Sequence, residues 1–405
     1  MKTYLLLAFT LLFALASCAS QPPFGSADQE QPATAVAQKT LILLPTSTFT
    51  AQPPATATPT RAPATATRTP AQPPATATPT RMPATPRPSA TPTRAPQSGS
   101  IVVDHNSVAL FDRIPEQYLT AARNLPMMYM DQSVGMNISQ GLDCLAASSW
   151  GEAPVHCRRD YDPTSSTPWT VRAYTAADLQ AGTVPPLIQF PADSNRYNRS
   201  NWTFVSQSGS WQEYLAAFLT TQAPAHINQK DVLSFQFTYL HVAAGSDIVD
   251  PNEGFFVDQP HSGFYPNRER WDISDLRDYQ AQHPDKVFIY WTTSLARDIG
   301  SAESITFNEQ MRQYAIANQF PLFDVADILS HDPEGNPCYD NRDGVEYCGP
   351  NGCENYPDDG QNVLAICQNY TTETNGGHLG SVSGGKIQLA KAFWVLMAQI
   401  AGWRP

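Results

Sequence analysis

The sequence predicts an α/β domain in which a parallel sheet carries helices on both faces. Two observations predict it. From about residue 101 onward, short apolar runs rich in β-branched and aromatic residues alternate with longer segments of helical periodicity. Strands and helices that alternate in this way stack as βαβ units, which forces a parallel sheet. The expected strands are Pro126–Asp131, Trp202–Val205, Asp231–Leu240, Lys286–Thr292 and Phe320–Val325. Helical patterns cover 211–222, 273–283 and 304–318. In the last helix, Ile387, Ala390, Trp394, Met397 and Ala401 recur on one face. Gly384-Gly385 precedes that helix and Gly402 ends it. In such a sheet, ligand chemistry belongs at the carboxyl ends of the strands.

Composition separates this domain from what comes before it. The chain has 405 residues, a net charge of −12 and 36 prolines, most of the proline excess lying before residue 100. Residues 1–30 carry −1 and residues 31–100 carry +6, which leaves −17 on the remainder. An acidic domain repels a phosphate backbone, so nucleic acid is not expected as a partner. About 300 residues are enough for one large domain with its own core.

The first twenty residues read as an export address. Lys2 supplies a positive start, Leu5 to Leu15 an apolar stretch, and Leu15-Ala16-Ser17-Cys18 a small-residue cleavage site ending in cysteine. This motif resembles the bacterial lipobox. The resemblance implies a signal peptide over 1–17 and lipidation of Cys18, which would anchor the protein to the extracytoplasmic side of a cell membrane. Residues 18–100 read as a tether. The segment Ala51–Arg61 recurs letter for letter as Ala71–Arg81, amid further Pro-Ala-Thr units. Such a tract has almost nothing to bury and favours extended polyproline II. The folded domain is expected over 101–405.

Within the domain, the turn after the first expected strand reads Asp131-Gln132-Ser133-Val134-Gly135-Met136-Asn137. Ser133 has two readings: a helix cap, or a nucleophile whose hydroxyl and N–H sit at a helix N-terminus that favours a developing oxyanion. At the far end, His378 lies in the glycine-rich Thr374–Gly380 loop just before the last helix. It is either structural or the base that a serine needs, since a serine hydroxyl is hardly ionised at neutral pH.

Together these blocks resemble the SGNH, or GDSL-like, hydrolase superfamily. The match runs through Met130 to Gly135 with Asn137 behind, through Thr306 to Ala315 with Pro321 to Ile328, and through Gly376-Gly377-His378-Leu379 with Gly384 to Trp394. The resemblance implies a three-layer α/β/α sandwich whose five parallel strands follow the flavodoxin-like order 2-1-3-4-5. It implies Ser133 as nucleophile and His378 as base, acting on acyl esters, often of carbohydrates or lipids. The residue three before the histidine, an aspartate in the superfamily, is here Asn375, and Glu373 two residues further back is the alternative partner. The Ser133 N–H and Asn201, just before the second strand, are the candidate oxyanion donors.

Six cysteines remain in the domain, and an even number in an exported chain favours disulfides. Spacing suggests Cys144 with Cys157, and Cys338, Cys348, Cys353 and Cys367 stapling the segment between them. Oxygen side chains at Asp332, Glu334, Asn336, Asp340 and Asp343 have calcium-loop spacing, but Pro337 stands where such a loop needs glycine. They read as a solvated acidic loop, and no metal or cofactor is expected. Tyr239 and His241, near the end of the third strand, are candidates to line the cleft. Two functions follow: a surface-anchored serine esterase acting on acylated carbohydrate or another ester, or a non-catalytic glycan- or polymer-binding lipoprotein of the same fold.

Overall fold

The computed structural model of the chain describes residues 100–405, apart from 168, 208–213, 238, 240–241, 243–247, 249–272, 296–300, 340–345, 350–351, 356–362 and 374–375. In chain order its elements are β1 (Val102–Val103), α1 (His105–Val108), α2 (Glu116–Asn124), β2 (Met127–Asp131), α3 (Ser133–Leu145), β3 (Arg159–Tyr161), β4 (Val171–Ala173), α4 (Ala176–Gln180), β5 (Trp202–Ser206), α5 (Tyr214–Ala217), α6 (Ala223–His226), β6 (Val232–Phe235), α7 (Ile273–Gln282), β7 (Val287–Trp291), α8 (Ser301–Ala317), β8 (Leu322–Phe323), α9 (Val325–Leu329), β9 (Glu346–Gly349), β10 (Gly352–Asn355) and α10 (Gly384–Ile400). No helix among the described residues is long and apolar enough to cross a membrane.

Six strands form one sheet in the order β1-β8-β7-β6-β2-β5, and every pairing in it is parallel. This corrects the expected five strands and their order. The difference is the edge strand Val102–Val103, which pairs with β8 through Val102 opposite Leu322 and Val103 opposite Phe323. Two residues are too few to show strand periodicity in a sequence. The expected third strand is also shortened to Val232–Phe235, and the fifth to Leu322–Phe323. The fifth stops because Asp324 caps α9, its carboxylate accepting the Asp327 N–H.

Both faces of the sheet are covered, and the strand period of two divides the apolar residues between them. Met127 and Tyr129 of β2 enter one core with Leu119 of α2, Ile138 and Leu142 of α3, Ile328 of α9 and the apolar residues of α10 from Ile387 to Ile400. Met128 and Met130 enter the other, with Leu215, Phe218, Leu276 of α7, and Phe307 and Met311 of α8. The expected helix at 211–222 is resolved as α5, a π-helical turn at Phe218–Gln222, and α6. Pro224 lacks the N–H that would continue an α-helical ladder here, and the Thr220 hydroxyl donates to the Ala216 carbonyl at 2.7 Å.

The α10 helix departs from the one-faced pattern expected of it. All of its residues but Lys391 are buried. A helix apolar through most of its circumference must be wrapped by other elements, and here α1, α2, α3 and α9 surround it. The approach of α3 is close enough to require a glycine. A Cβ at Gly141 would lie 2.1 Å from the Lys386 carbonyl oxygen. Because Ser133 begins α3 and α10 follows the His378 loop, this contact ties the two halves of the candidate site together.

Behind the carboxyl ends of the strands, Arg312 of α8 forms a two-pronged ion pair with Asp324, a carboxylate only 4% exposed, and Thr292 donates to the same carboxylate at 2.9 Å. Removing one partner of a buried pair leaves a charge without compensation. Arg312→Met should therefore lower the free energy of unfolding by about 3–5 kcal/mol in urea titrations.

Two disulfides join described residues, Cys144–Cys157 and Cys338–Cys367, with Cα separations of 5.5 and 5.2 Å. The first pins the end of α3 to the segment before β3. The β9–β10 hairpin sets Cys348 opposite Cys353 in register. With sequence separations of 13 and 29 between partners, loop-closure entropy assigns about 3 and about 3.5 kcal/mol to the two bridges. Cys144→Ser/Cys157→Ser should show the first of these as a loss in denaturant unfolding. The acidic loop is held by protein groups: Asp332 Oδ1 accepts the N–H of Glu334 at 3.0 Å and of Asn336 at 2.8 Å. Asp340 and Asp343 lie outside the described residues.

Candidate active site

The site is built where β2 delivers the chain into α3. Asp131 is the last residue of the strand, and Gln132, at φ −110° and ψ −109°, turns the backbone. Gln132 is the N-cap and makes no side-chain capping bond, so Ser133 is the first helical residue and does not cap the helix. The first N–H groups of a helix have no intrahelical partner. At α3 the Gly135 amide is turned to the Asp131 carboxyl, and Ser133 stands at the positive end of the helix dipole.

The Ser133 hydroxyl lies 2.6 Å from His378 Nε2. The other ring nitrogen, Nδ1, lies 2.7 Å from Glu373 Oε1, and the His378 backbone N–H donates to Glu373 Oε2 at 2.9 Å. A carboxylate at Nδ1 fixes the ring proton there. Nε2 is then the basic nitrogen and accepts the serine hydroxyl. The His378 and Glu373 side chains are 31% and 27% exposed, open enough to be reached and enclosed enough to be held.

The loop that presents His378 is fastened at many points. Glu373 N–H donates to the Thr371 hydroxyl at 3.0 Å, and that hydroxyl donates to the His378 carbonyl at 2.6 Å. This folds the loop back on itself and brings residue 373 beneath the ring. Asn137, one turn along α3 from Ser133, accepts the Leu379 N–H at 3.0 Å. Ser294 donates to the Gly377 carbonyl at 2.7 Å, and buried Lys386 donates to the Gly380 carbonyl at 2.9 Å. Burial pulls the Lys386 ammonium down to about 8. The Tyr239 ring meets the His378 ring edge-on at 5.3 Å. It also lies against Gly377, where a Cβ would come within 2.3 Å of the Tyr239 ring.

Asp131 is fully buried two residues before Ser133. Its Oδ1 accepts the Gln132 N–H at 2.7 Å, and Oδ2 has no hydrogen-bond partner. Burial pushes this carboxyl up to about 7, against the Gln132 and Gly135 amides and nearby His378, which favour the carboxylate.

The structure thus brings together Ser133, His378 and Glu373. It separates Asn201 from them, and the oxyanion role expected of that residue is corrected. Asn201 precedes β5 and its carbonyl accepts the N–H of Met127, the first residue of β2. It therefore stands at the amino end of the sheet, roughly 13 Å of strand away from the end that carries Ser133. Its side chain donates to the Arg123 carbonyl at 2.8 Å. Asn375, Cys18 and His241 lie outside the described residues. Glu373 had a legible signal: it is the one acid between Gly360 and His378. No protein-family model matches the chain, and neither does any curated protein or solved structure.

Proposed function

We propose that the protein is a serine hydrolase of the SGNH, GDSL-like kind that cleaves acyl esters, with acylated extracellular carbohydrate as the substrate class and a lipid at Cys18 as its membrane anchor. The observation that carries the reading is the unbroken chain Ser133–His378–Glu373, with contacts of 2.6 and 2.7 Å. On this reading the sheet is the superfamily's three-layer core with its 2-1-3-4-5 strands, extended by the edge strand β1.

The chemistry follows from the geometry. Ser133 Oγ attacks the ester carbonyl while its proton passes to His378 Nε2. Glu373 stabilises the imidazolium so formed, and the Ser133 N–H, at the uncapped start of α3, faces the developing oxyanion. His378 then returns the proton to the departing alcohol, leaving an acyl group on Ser133. Water, deprotonated by the same imidazole, releases it as the free acid. The test is hydrolysis of p-nitrophenyl acetate and of acetylated xylan by the full chain and by Ser133→Ala. Release of acetate that Ser133→Ala lacks supports the proposal. An inert wild-type protein that still binds the polysaccharide leaves the non-catalytic lipoprotein in its place.

A further inference from the structure

A second site lies at the same end of the sheet, near the opposite edge. His105 follows β1, and His331 follows α9. Their rings stack 3.8 Å apart with planes within 9° of parallel, and the side chains are only 20% and 14% exposed. Both rings line a cavity of about 360 Å³. By strand spacing the cavity is roughly 15–20 Å from Ser133, and the mechanism above uses none of its residues.

Asp327 sets the chemistry of both rings. His105 Nδ1 lies 2.5 Å from Asp327 Oδ2, and His331 Nδ1 lies 2.9 Å from the Asp327 carbonyl oxygen. Each Nδ1 therefore carries its proton, and each Nε2 is left as a lone-pair acceptor. The cavity is also lined by Asp112, Asp332, Glu334 and Lys391 and by the amide-bearing Asn106 and Gln388, with the Asp332 carboxylate already taken by the Glu334 and Asn336 N–H groups. Acidic residues outnumber basic ones in this lining, so an anion is disfavoured, and a ligand that meets the two Nε2 acceptors must bring donors of its own while accepting from the amides. Hydroxyl groups meet both conditions. His105, Asp327 and His331 lie close enough to offer one ligand atom each, but an ion shared between the two Nε2 atoms does not fit, because an ion bound at Nε2 lies in the imidazole plane and these two planes are nearly parallel.

We propose that this cavity binds an uncharged saccharide unit, whose hydroxyls donate to Nε2 of His105 and of His331. The proposal does not depend on Ser133 being catalytic. The test is the long-range ¹H–¹⁵N imidazole spectrum of the full chain. Xylotetraose and chitotetraose serve as neutral probes, with tetragalacturonate as the anionic comparison and Zn²⁺ as the metal comparison. Both histidines should appear as Nδ1–H tautomers. A neutral tetrasaccharide should shift both Nε2 signals saturably, His331→Gln should weaken that binding about tenfold, the loss expected for one hydrogen bond, and tetragalacturonate should leave the signals in place. The proposal is overturned if the rings are Nε2–H tautomers, if neither neutral probe moves them, if the anionic probe moves them equally, or if Zn²⁺ binds at both Nε2 atoms and displaces the sugar.

Discussion

Ser133→Ala and His378→Ala should each lower ester turnover by about 10⁵–10⁶-fold, and the double variant should be no worse than either alone. On the proposed mechanism the serine supplies the nucleophile and the histidine the proton transfer for one step, so losing either stops it. Glu373→Gln should cost about 10⁴-fold with little change in fold. An amide in place of the carboxylate no longer requires a proton on Nδ1, so the ring is free to take the tautomer in which Nε2 faces Ser133 with its own N–H. Nor does an amide carry the charge that stabilises an imidazolium. Asn375→Ala should change turnover much less, because Nδ1 is already taken by Glu373 at 2.7 Å. Turnover of p-nitrophenyl acetate across these variants checks the order: Ser133 and His378 first, Glu373 next, Asn375 last.

Asp131→Asn should change the pH dependence of stability by about 4 kcal/mol between pH 4 and pH 8. The folded carboxyl is pushed up to about 7, against 3.8 for the unperturbed group. Between those values the folded state holds a proton that the unfolded state has released, so stability is greatest below about 4 and falls as pH rises toward 7. About three pH units at 1.36 kcal/mol each give the magnitude. Asparagine resembles the protonated acid, and its own unpaired amide group costs about 1–3 kcal/mol. The variant should therefore be less stable than wild type at pH 4 and more stable at pH 8. Urea unfolding of both proteins at the two pH values checks the crossing, and parallel curves would contradict it.

The sequence made the central strands legible because they are apolar on both faces. Asp231–Leu240 and Lys286–Thr292 hold the β-branched and aromatic residues that a doubly covered strand requires. The edge strand Val102–Val103 was not legible, since two valines carry no period. The burial of α10 was hidden because Lys386, Gln388 and Gln399 are residue types expected at a surface, yet Lys386 donates its ammonium to the Gly380 carbonyl. At the candidate site, position left Ser133 and His378 with two readings each, in the first turn after the first long strand and in the loop before the last helix, and the resemblance to a hydrolase superfamily chose the catalytic one. The acid was harder to place. A fixed spacing pointed to Asn375, whereas the fold-back through Thr371 brings residue 373 under the ring. Asn201 failed for a topological reason, because a residue that precedes a strand cannot reach the carboxyl end of a parallel sheet.

Covalent capture of the nucleophile tests the account most directly. Incubated with a fluorophosphonate, the intact protein should take up one phosphonyl group, mapped by peptide mass spectrometry to Ser133. His378→Ala should lose the reaction, because the hydroxyl then has no base. No label on Ser133, or labelling that survives His378→Ala at the wild-type rate, would contradict the claim that these two side chains act as a catalytic pair.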